Sequence, residues 1–375
     1  MKIGITCYPT YGGSGVVATE LGMALASKGH EVHFISYAMP QRLSHFIENI
    51  YFHEVETSSY PLFEFQLYTL SLASKMLEVM EYEKLDLVHV HYAIPHAVSG
   101  YLAKQVLKKN NSNLKLITTL HGTDITLVGL EPSFLPLVKF SIEESDGVTT
   151  VSRFLKEKTI TNYNINKDIE VIHNFIDTEK FKPVCNDNFK KRVAPNGEKI
   201  LVHTSNFRPV KRVSDTIKIL ARVVKEIPTK LLLIGDGPDR SECERLTREM
   251  KLEKEIVFLG KQDCLTDLLG AADIFLLPSQ SESFGLSALE AMACGLPVVS
   301  SSVGGLPELN IHNETGYIAE FGDTDRMAKY VIDLLTNEKK YKIFSKNCRE
   351  IAVKNFDKNL IIPKYVEYYE KILSS

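Results

Sequence analysis

Two isolated carboxylates open the chemistry of this chain. Glu282 lies beside Phe284 and Gly285, and Glu290 follows inside SESFGLSALEAMACGLPVVSS (281–301), a run otherwise made of small and apolar residues. A surface helix repeats its acids along a wet face. These two do not repeat, and GLPVV ends the run as a helix stop followed by a buried strand. With DIFLLP (273–278) in front, the stretch reads strand, loop, helix. Glu282 then falls at the carboxyl end of the strand. Phe284 and Gly285 start the helix, where free backbone N–H groups can meet a sugar or phosphate oxygen. Glu290 sits more than a turn further in, among Ala288, Ala291 and Ala293. A carboxylate buried there must be hydrogen-bonded. A vicinal diol, giving one hydroxyl to each oxygen, satisfies it; so does an arginine.

Three other loops carry candidate groups. HTSNFRPVKRVSD (203–215) sets Arg208, Lys211 and Arg212 after a strand, where cations bind phosphate or simply face water. YPTYGGSGVVATELG (8–22) places Gly12, Gly13 and Gly15 between a strand and a helix. It is neither GxGxxG nor a Walker motif, so an anion site and a tight turn both stay open. HGTD (121–124) follows the strand-like KLITTL, which points His121 toward a strand end. His89 and His91 share one strand face, but no third ligand appears at metal spacing, so they read as core. DTD (323–325) precedes a helix, and Asp323 reads as its N-cap.

These loops need a scaffold of strands, and the chain supplies one twice. KIGITC, EVHFIS, DLVHVH, KLITTL and GVTTVS alternate with helical patterns in the first half. KILVHTS, KLLLIGD, EIVFLG, DIFLLP, PVVSS and GYIAE do so in the second. Between the first two strands, Val17, Leu21, Ala24 and Leu25 recur at helical spacing and Gly29 closes the helix. This βαβ alternation implies α/β architecture with two doubly wound, Rossmann-like parallel-sheet domains. Ligands of such sheets bind at the carboxyl ends of the strands, where the strand order reverses, so two such domains are expected to face a cleft. The polar stretch 184–199 marks the entrance to the second half. We place an N-terminal acceptor domain at 1–165, on which a C-terminal helix (356–375) packs back, and a C-terminal donor domain at 166–355.

Bulk properties bound the function. The 375 residues suit two domains, with 44% apolar and 24% charged residues. A net charge of −3 argues against general nucleic-acid binding. No apolar run is long enough to span a bilayer. MKIGITCYP enters a strand directly rather than forming a signal peptide, and six scattered cysteines suit reduced thiols, so a cytoplasmic location is expected.

Taken together, ESFGLSALEAMACGLPVV, the GGSG loop, HGTD, HNFID (173–177), RPVKR (208–212), IGDGPDR (234–240) and GGLPEL (304–309) resemble the retaining GT-B glycosyltransferases of family 4 along nearly the whole chain. The opening MKIGITCYPTYGGSGVVATELG and HVHYAIPHA resemble the subgroup that moves N-acetylglucosamine from UDP-N-acetylglucosamine to L-malate in bacillithiol biosynthesis. The resemblance implies that Glu290 holds the ribose hydroxyls and Glu282 faces the transferred sugar. It sets the amides of Phe284, Gly285 and Leu286 along sugar and diphosphate, Lys211 on the diphosphate, and His121 near the donor sugar. Gly235 and Gly237 fall near the nucleotide, Lys261 near the uracil, and Gly13, Ser14 and Gly15 on the donor as well. The family pattern R-x-x-P-x-K puts Asn206 where an arginine is expected, with Arg208 as a substitute in a different register. Lys211, His121 and Glu282 are thus the expected catalytic residues.

For a small dianionic acceptor, strand-end positions nominate Ser14, Tyr92, Thr119, Thr123, Arg153 and Asn174, with Arg153 able to clamp a carboxylate. No metal and no cofactor beyond the donor substrate are expected. Neither nucleic acid nor membrane is an expected partner, and a homodimer is left open. Three readings compete: a GT-B transferase with another acceptor, a UDP-sugar 2-epimerase, and a non-catalytic two-lobed binding protein.

Overall fold

A computed structural model describes residues 1–10, 12–43, 46–57, 66–109, 113–184 and 186–375; Tyr11 of the glycine loop and Cys185 lie outside the described residues. The chain divides into two compact units. The first comprises Met1–Asn174 with Asn359–Ser375, the second Phe175–Lys358. This division lies nine residues beyond the boundary placed at 165, because a short strand at Glu170–Val171 still pairs with the first sheet.

The first unit is built on strands β1 (Lys2–Thr6), β2 (Glu31–Ser36), β3 (Ile50–Glu54), β4 (Leu87–His91), β5 (Lys115–Leu120), β6 (Gly147–Thr150) and β7 (Glu170–Val171). They form one parallel sheet in the order β3-β2-β1-β4-β5-β6-β7. β3 and β7, the two edges, escaped the sequence reading. IYFHE is only half-buried and polar at alternate positions, and β7 is two residues long. Central β4 is buried at every position, as expected of a strand covered on both faces. Helix α1 (Gly13–Ser27) buries Val17, Leu21 and Leu25 against the sheet. A Cβ at Gly22 would stand 2.3 Å from the Phe34 ring, so this glycine lets helix and strand close up. Helices α2 (Tyr68–Glu83), α3 (Val98–Lys108), α4 (Leu135–Glu144) and α5 (Arg153–Tyr163) complete the crossovers. On the α2 face, Ile35, Leu72, Met76, Val79, Val88 and Leu116 share one apolar cluster.

The second unit begins with α6 (Asp187–Val193). It continues through β8 (Lys199–Thr204), α7 (Val213–Val223), β9 (Thr229–Ile234), α8 (Arg240–Glu249), β10 (Ile256–Gly260), α9 (Leu265–Ala271) and β11 (Ile274–Leu277). Then follow α10 (Leu286–Ala293), β12 (Val298–Ser301), α11 (Leu306–Leu309), β13 (Gly316–Ala319), α12 (Thr324–Thr336) and α13 (Glu338–Phe356). Its parallel sheet runs β10-β9-β8-β11-β12-β13. Ile217, Leu220, Leu231, Leu233, Val331 and Leu334 belong to its main core. Asp323 caps α12 by accepting from the Arg326 amide at 2.9 Å.

The last helix, α14 (Lys358–Leu373), returns the chain to the first unit. Its buried Tyr368 hydroxyl accepts from the Val148 amide at 2.9 Å, and the Tyr369 hydroxyl meets His89 Nδ1 at 2.7 Å. Among the described residues, no helix is long and apolar enough to cross a membrane.

Candidate active site

The order of the second sheet reverses between β8 and β11. Such a reversal is where ligands of open α/β sheets bind, at the loops leaving the two strands. One carries residues 205–212, the other 278–285, and they meet through an ion pair. Lys211 Nζ donates to Glu282 Oε1 at 2.7 Å, and Ser279 Oγ donates to the same oxygen at 2.8 Å. Glu282 is 9% exposed. Sequence reading assigned Lys211 to phosphate and Glu282 to sugar. The fold joins the two directly, and the ammonium keeps further N–H donors beyond the one given to Glu282.

Backbone packing fixes this loop. Gly305 N donates to Glu282 O at 2.9 Å, and a Cβ on Gly304 (φ +59°) would fall 1.7 Å from the same oxygen. The GG of GGLPEL is therefore the seat of Glu282. Gly235 and Gly237 act in the same way on the opposite loop. Their Cβ positions would lie 1.8 Å from Ser205 O and 2.1 Å from Asn206 O. Their close approach is to the chain that carries Asn206, a different task from the nucleotide contact the family resemblance implied.

Helix α10 starts at Leu286 behind Gly285, whose φ of +98° only glycine tolerates easily. The first-turn amides of this helix have no intrahelical acceptor. Phe284 is buried edge-on against Phe356, with ring centroids 5.5 Å apart. Glu290 is 6% exposed, mid-helix among buried Ala288, Ala291 and Ala293, as its sequence setting indicated.

At the end of β8, the Oδ1 of Asn206 and the Oγ1 of Thr204 are buried without a hydrogen-bond partner. Unsatisfied buried polar atoms are rare, and a bound ligand or water is one way to satisfy them. Arg208 is exposed, two residues beyond half-buried Asn206. Arg212 is taken up by Asp215 at 2.8 and 3.2 Å. Lys261 is exposed just past β10.

His203 and Ser205 were missed by the sequence reading, since a histidine inside an apolar strand carries no motif. His203 is fully buried; its Nδ1 meets Leu276 O at 2.9 Å and its Nε2 meets Ser205 Oγ at 2.8 Å. Burial lowers its pKa to about 4, with the nearby Lys211 charge adding to the effect. A neutral ring thereby ties β11 to the loop that carries Asn206.

The first sheet reverses between β1 and β4. There, Ser14 Oγ and Tyr92 OH are 2.8 Å apart, joining the glycine loop to the end of β4. The Tyr92 ring lies 5.4 Å from those of Tyr8 and His121. Gly15 is needed for packing: its Cβ would approach Tyr8 O to 2.4 Å. Exposed Gly13 and half-buried Ser14 begin α1, with their amides free of intrahelical acceptors.

His121 Nε2 and His91 Nδ1 are 2.8 Å apart, and His89 joins Tyr369 OH (2.7 Å) and Thr119 Oγ1 (2.6 Å). Burial drives His89 and His121 down to about 3 and His96 to about 4, and holds His91 well below the ordinary imidazole range. All four rings are neutral at pH 7. His89 and His91 are thus parts of a hydrogen-bonded core, as the sequence suggested. The outcome for Thr119 differs from expectation. It is fully enclosed, and its hydroxyl also contacts Thr149 at 2.6 Å, so it serves this network instead of an acceptor.

Asp124, the last residue of HGTD, is buried and accepts from the amides of Ala93 (2.8 Å), Gly122 (2.9 Å) and His121 (3.3 Å). It pins the ends of β4 and β5 together. Burial pushes its carboxyl up to about 6, with the amides opposing. Thr123 is half-buried beside it. Arg153 and Asn174 lie outside this switch point: Arg153 is exposed at the start of α5, after β6, and Asn174 follows β7 with a buried, unpartnered Oδ1.

Comparison with known proteins decides the family. Residues 11–180 match glycosyltransferase family 4, and residues 185–351 match the glycosyl transferases group 1 family. The N-acetyl-alpha-D-glucosaminyl L-malate synthase of Bacillus anthracis is 47% identical over 374 residues, spanning 100% of this chain and 97% of that protein. This chain belongs to the glycosyltransferase family. Solved structures agree on a GT-B fold of two parallel-sheet domains. Anabaena HepE in complex with UDP-glucose superposes with a TM-score of 0.85 at 21% identity, covering 99% of this chain and 100% of that one. Sucrose-phosphate synthase from Thermosynechococcus elongatus does so with 0.83 at 23%, covering 100% and 99%. The glycosyltransferase therefore carries a charged switch point in its second unit and a neutral, ring-lined one in its first.

Proposed function

We propose that this glycosyltransferase moves N-acetylglucosamine from UDP-N-acetylglucosamine to the hydroxyl of L-malate, with retention at the anomeric carbon. The observation that carries the acceptor and the sugar is the 47% identity, end to end, with a relative named for that product. The second unit holds the donor. The ribose diol donates to buried Glu290, and the diphosphate lies at the start of α10. Lys211, braced by Glu282, and Arg208 face its negative charge; Lys261 lies toward the base. Asn206, with its buried carbonyl oxygen unpartnered, takes the place of the family's arginine as a neutral hydrogen-bonding group.

The first unit holds the acceptor. Free amides at Gly13, Ser14 and Gly15 suit a carboxylate, the Ser14–Tyr92 pair orients the acceptor, and Arg153 and Asn174 contribute from the segments that follow β6 and β7. As the sugar–phosphate bond breaks, Lys211 and the helix amides stabilise charge on the departing UDP as preorganised dipoles. The departing phosphate oxygen accepts the acceptor's hydroxyl proton on the same face, which preserves configuration. Neutral His121 donates or accepts a hydrogen bond without adding charge. Positive groups of the chain carry out the charge neutralisation, so the reaction is expected to run in chelator.

The test offers UDP-N-acetylglucosamine with L-malate, other hydroxy acids, sugars and inositol phosphates, and follows UDP release and product mass. A malate-linked sugar, α at the anomeric centre by NMR, is expected. UDP release with another acceptor, or an isomerised nucleotide sugar formed without acceptor, would replace this reading.

A further inference from the structure

The geometry points to a transition-metal site on the outer edge of the first sheet, formed by His33, His53 and Glu83. Each offers one ligand atom, and the three atoms lie within 4.8 Å of one another. In the register of β2 and β3, His33 pairs with Tyr51 and Ile35 with His53. The two histidines are thus two residues apart on adjacent strands and share the face that Ile35 turns to α2. Glu83 closes that face from the last residue of α2.

Three features distinguish this cluster from a chance grouping. His33 Nδ1 and His53 Nε2 are already 2.9 Å apart. Two imidazole nitrogens on one tetrahedral zinc ion stand about 3.3 Å apart, given metal–nitrogen bonds of about 2.05 Å, so a small opening of the pair admits the ion. The other nitrogen of His33 lies 3.0 Å from Glu31 Oε1, which in turn pairs with Lys2 at 2.8 Å. A carboxylate on the far nitrogen fixes the tautomer and turns the Nδ1 lone pair toward the site, as outer partners of metal-binding histidines do. Finally, Glu83 is a carboxylate in the last turn of a helix that has no basic residue there. That turn carries partial negative charge, so the acid gains from a cation beside it; Lys2 supplies part of that field, and a bound ion would supply more.

Two imidazoles and one carboxylate select a borderline cation such as Zn2+, Co2+ or Ni2+ over the oxygen-seeking Mg2+. Without metal, His53 Nε2–H donates to His33 Nδ1. Binding moves that hydrogen to His53 Nδ1, a change of tautomer that leaves the ring neutral. Three protein ligands leave one position to water, which makes the ion exchangeable. Its task is to fasten edge strand β3 to β2 and to the end of α2. None of the three residues belongs to either switch point.

The test uses the full chain without a histidine tag, stripped with chelator and then given Zn2+, Co2+ or Mg2+. One Zn2+ or Co2+ per chain by elemental analysis after gel filtration, a higher Tm, and the visible spectrum of tetrahedral Co2+ are expected; Mg2+ has no effect. His53→Gln and Glu83→Gln each weaken binding by about tenfold or more, while metal-free turnover with UDP-sugar stays at the wild-type level. Absence of bound Zn2+ and Co2+, an octahedral Co2+ spectrum, or wild-type affinity in both variants would overturn the site. The Co2+ spectrum is read on the wild-type chain, so it decides the matter even if a variant misfolds.

Discussion

The two switch points of this glycosyltransferase are built alike and furnished differently. Each lies where the order of a parallel sheet reverses, and in each a loop from one strand is bonded to a loop from its neighbour. In the second unit the bond is an ion pair, Lys211 to Glu282, beside exposed Arg208. In the first it is a neutral contact, Ser14 to Tyr92, backed by four histidines that burial keeps uncharged. On the proposed function, the charge serves a diphosphate that must be held and released, and the neutral hydrogen-bonding groups serve a hydroxyl that must be oriented.

Breaking the charged half is expected to cost most. Lys211→Ala lowers kcat by about 10²–10³-fold, the usual cost of removing one preorganised donor at a developing charge, while circular dichroism shows that the fold persists and Tm falls because Glu282 loses its cation. Turnover within a few-fold of wild type would remove Lys211 from the chemistry. Glu290→Gln comes next. Losing a charged acceptor of two hydroxyls weakens UDP binding by about 10–100-fold, read by calorimetry; unchanged affinity would show that the ribose lies elsewhere. In the neutral half, Tyr92→Phe removes one hydrogen bond worth about 1 kcal/mol. It should raise the KM for malate several-fold and leave that for the donor alone. An equal change in both would erase the division of labour between the units.

A last comparison separates the units by pH. An unfolded imidazole takes a proton near pH 6.5, whereas the folded rings of His89, His96 and His121 resist until about pH 3–4. Their contribution to stability is complete above pH 6.5 and falls as pH drops through that interval. Asp124, raised to about 6, works the other way between pH 6 and its unfolded value near 4, but it is one group against several. The second unit has His203 alone among strongly depressed rings in the described residues. Thermal unfolding followed from pH 7 to pH 4 should therefore show the first unit losing stability faster. A uniform loss in both would contradict the contrast in ring burial.

Much of the second unit's loop arrangement was legible in the sequence. Glu290 stood out because an acid among alanines is costly unless served, and it is indeed buried mid-helix. Lys211, Glu282 and Gly285 lay on loops that alternating strands and helices had to deliver to one edge. Less could be read in the first unit. Thr119 carried the same positional signal as Tyr92, yet its hydroxyl turned into the His89–Thr149 chain. Edge strands β3 and β7 left weak patterns because one is half-solvated and the other very short.

The sequence by itself determined the doubly wound halves, the loops at their strand ends and the family, because periodicity, glycine placement and motif spacing are local properties of the chain. Only the tertiary structure decided which partners those side chains take: Glu282 for Lys211, Asp124 for three amides, and His33 for His53 across a strand edge. Strand order and register set those pairings. Both arise from burying apolar faces that are far apart in the chain, and the spacing of neighbouring residues does not encode them.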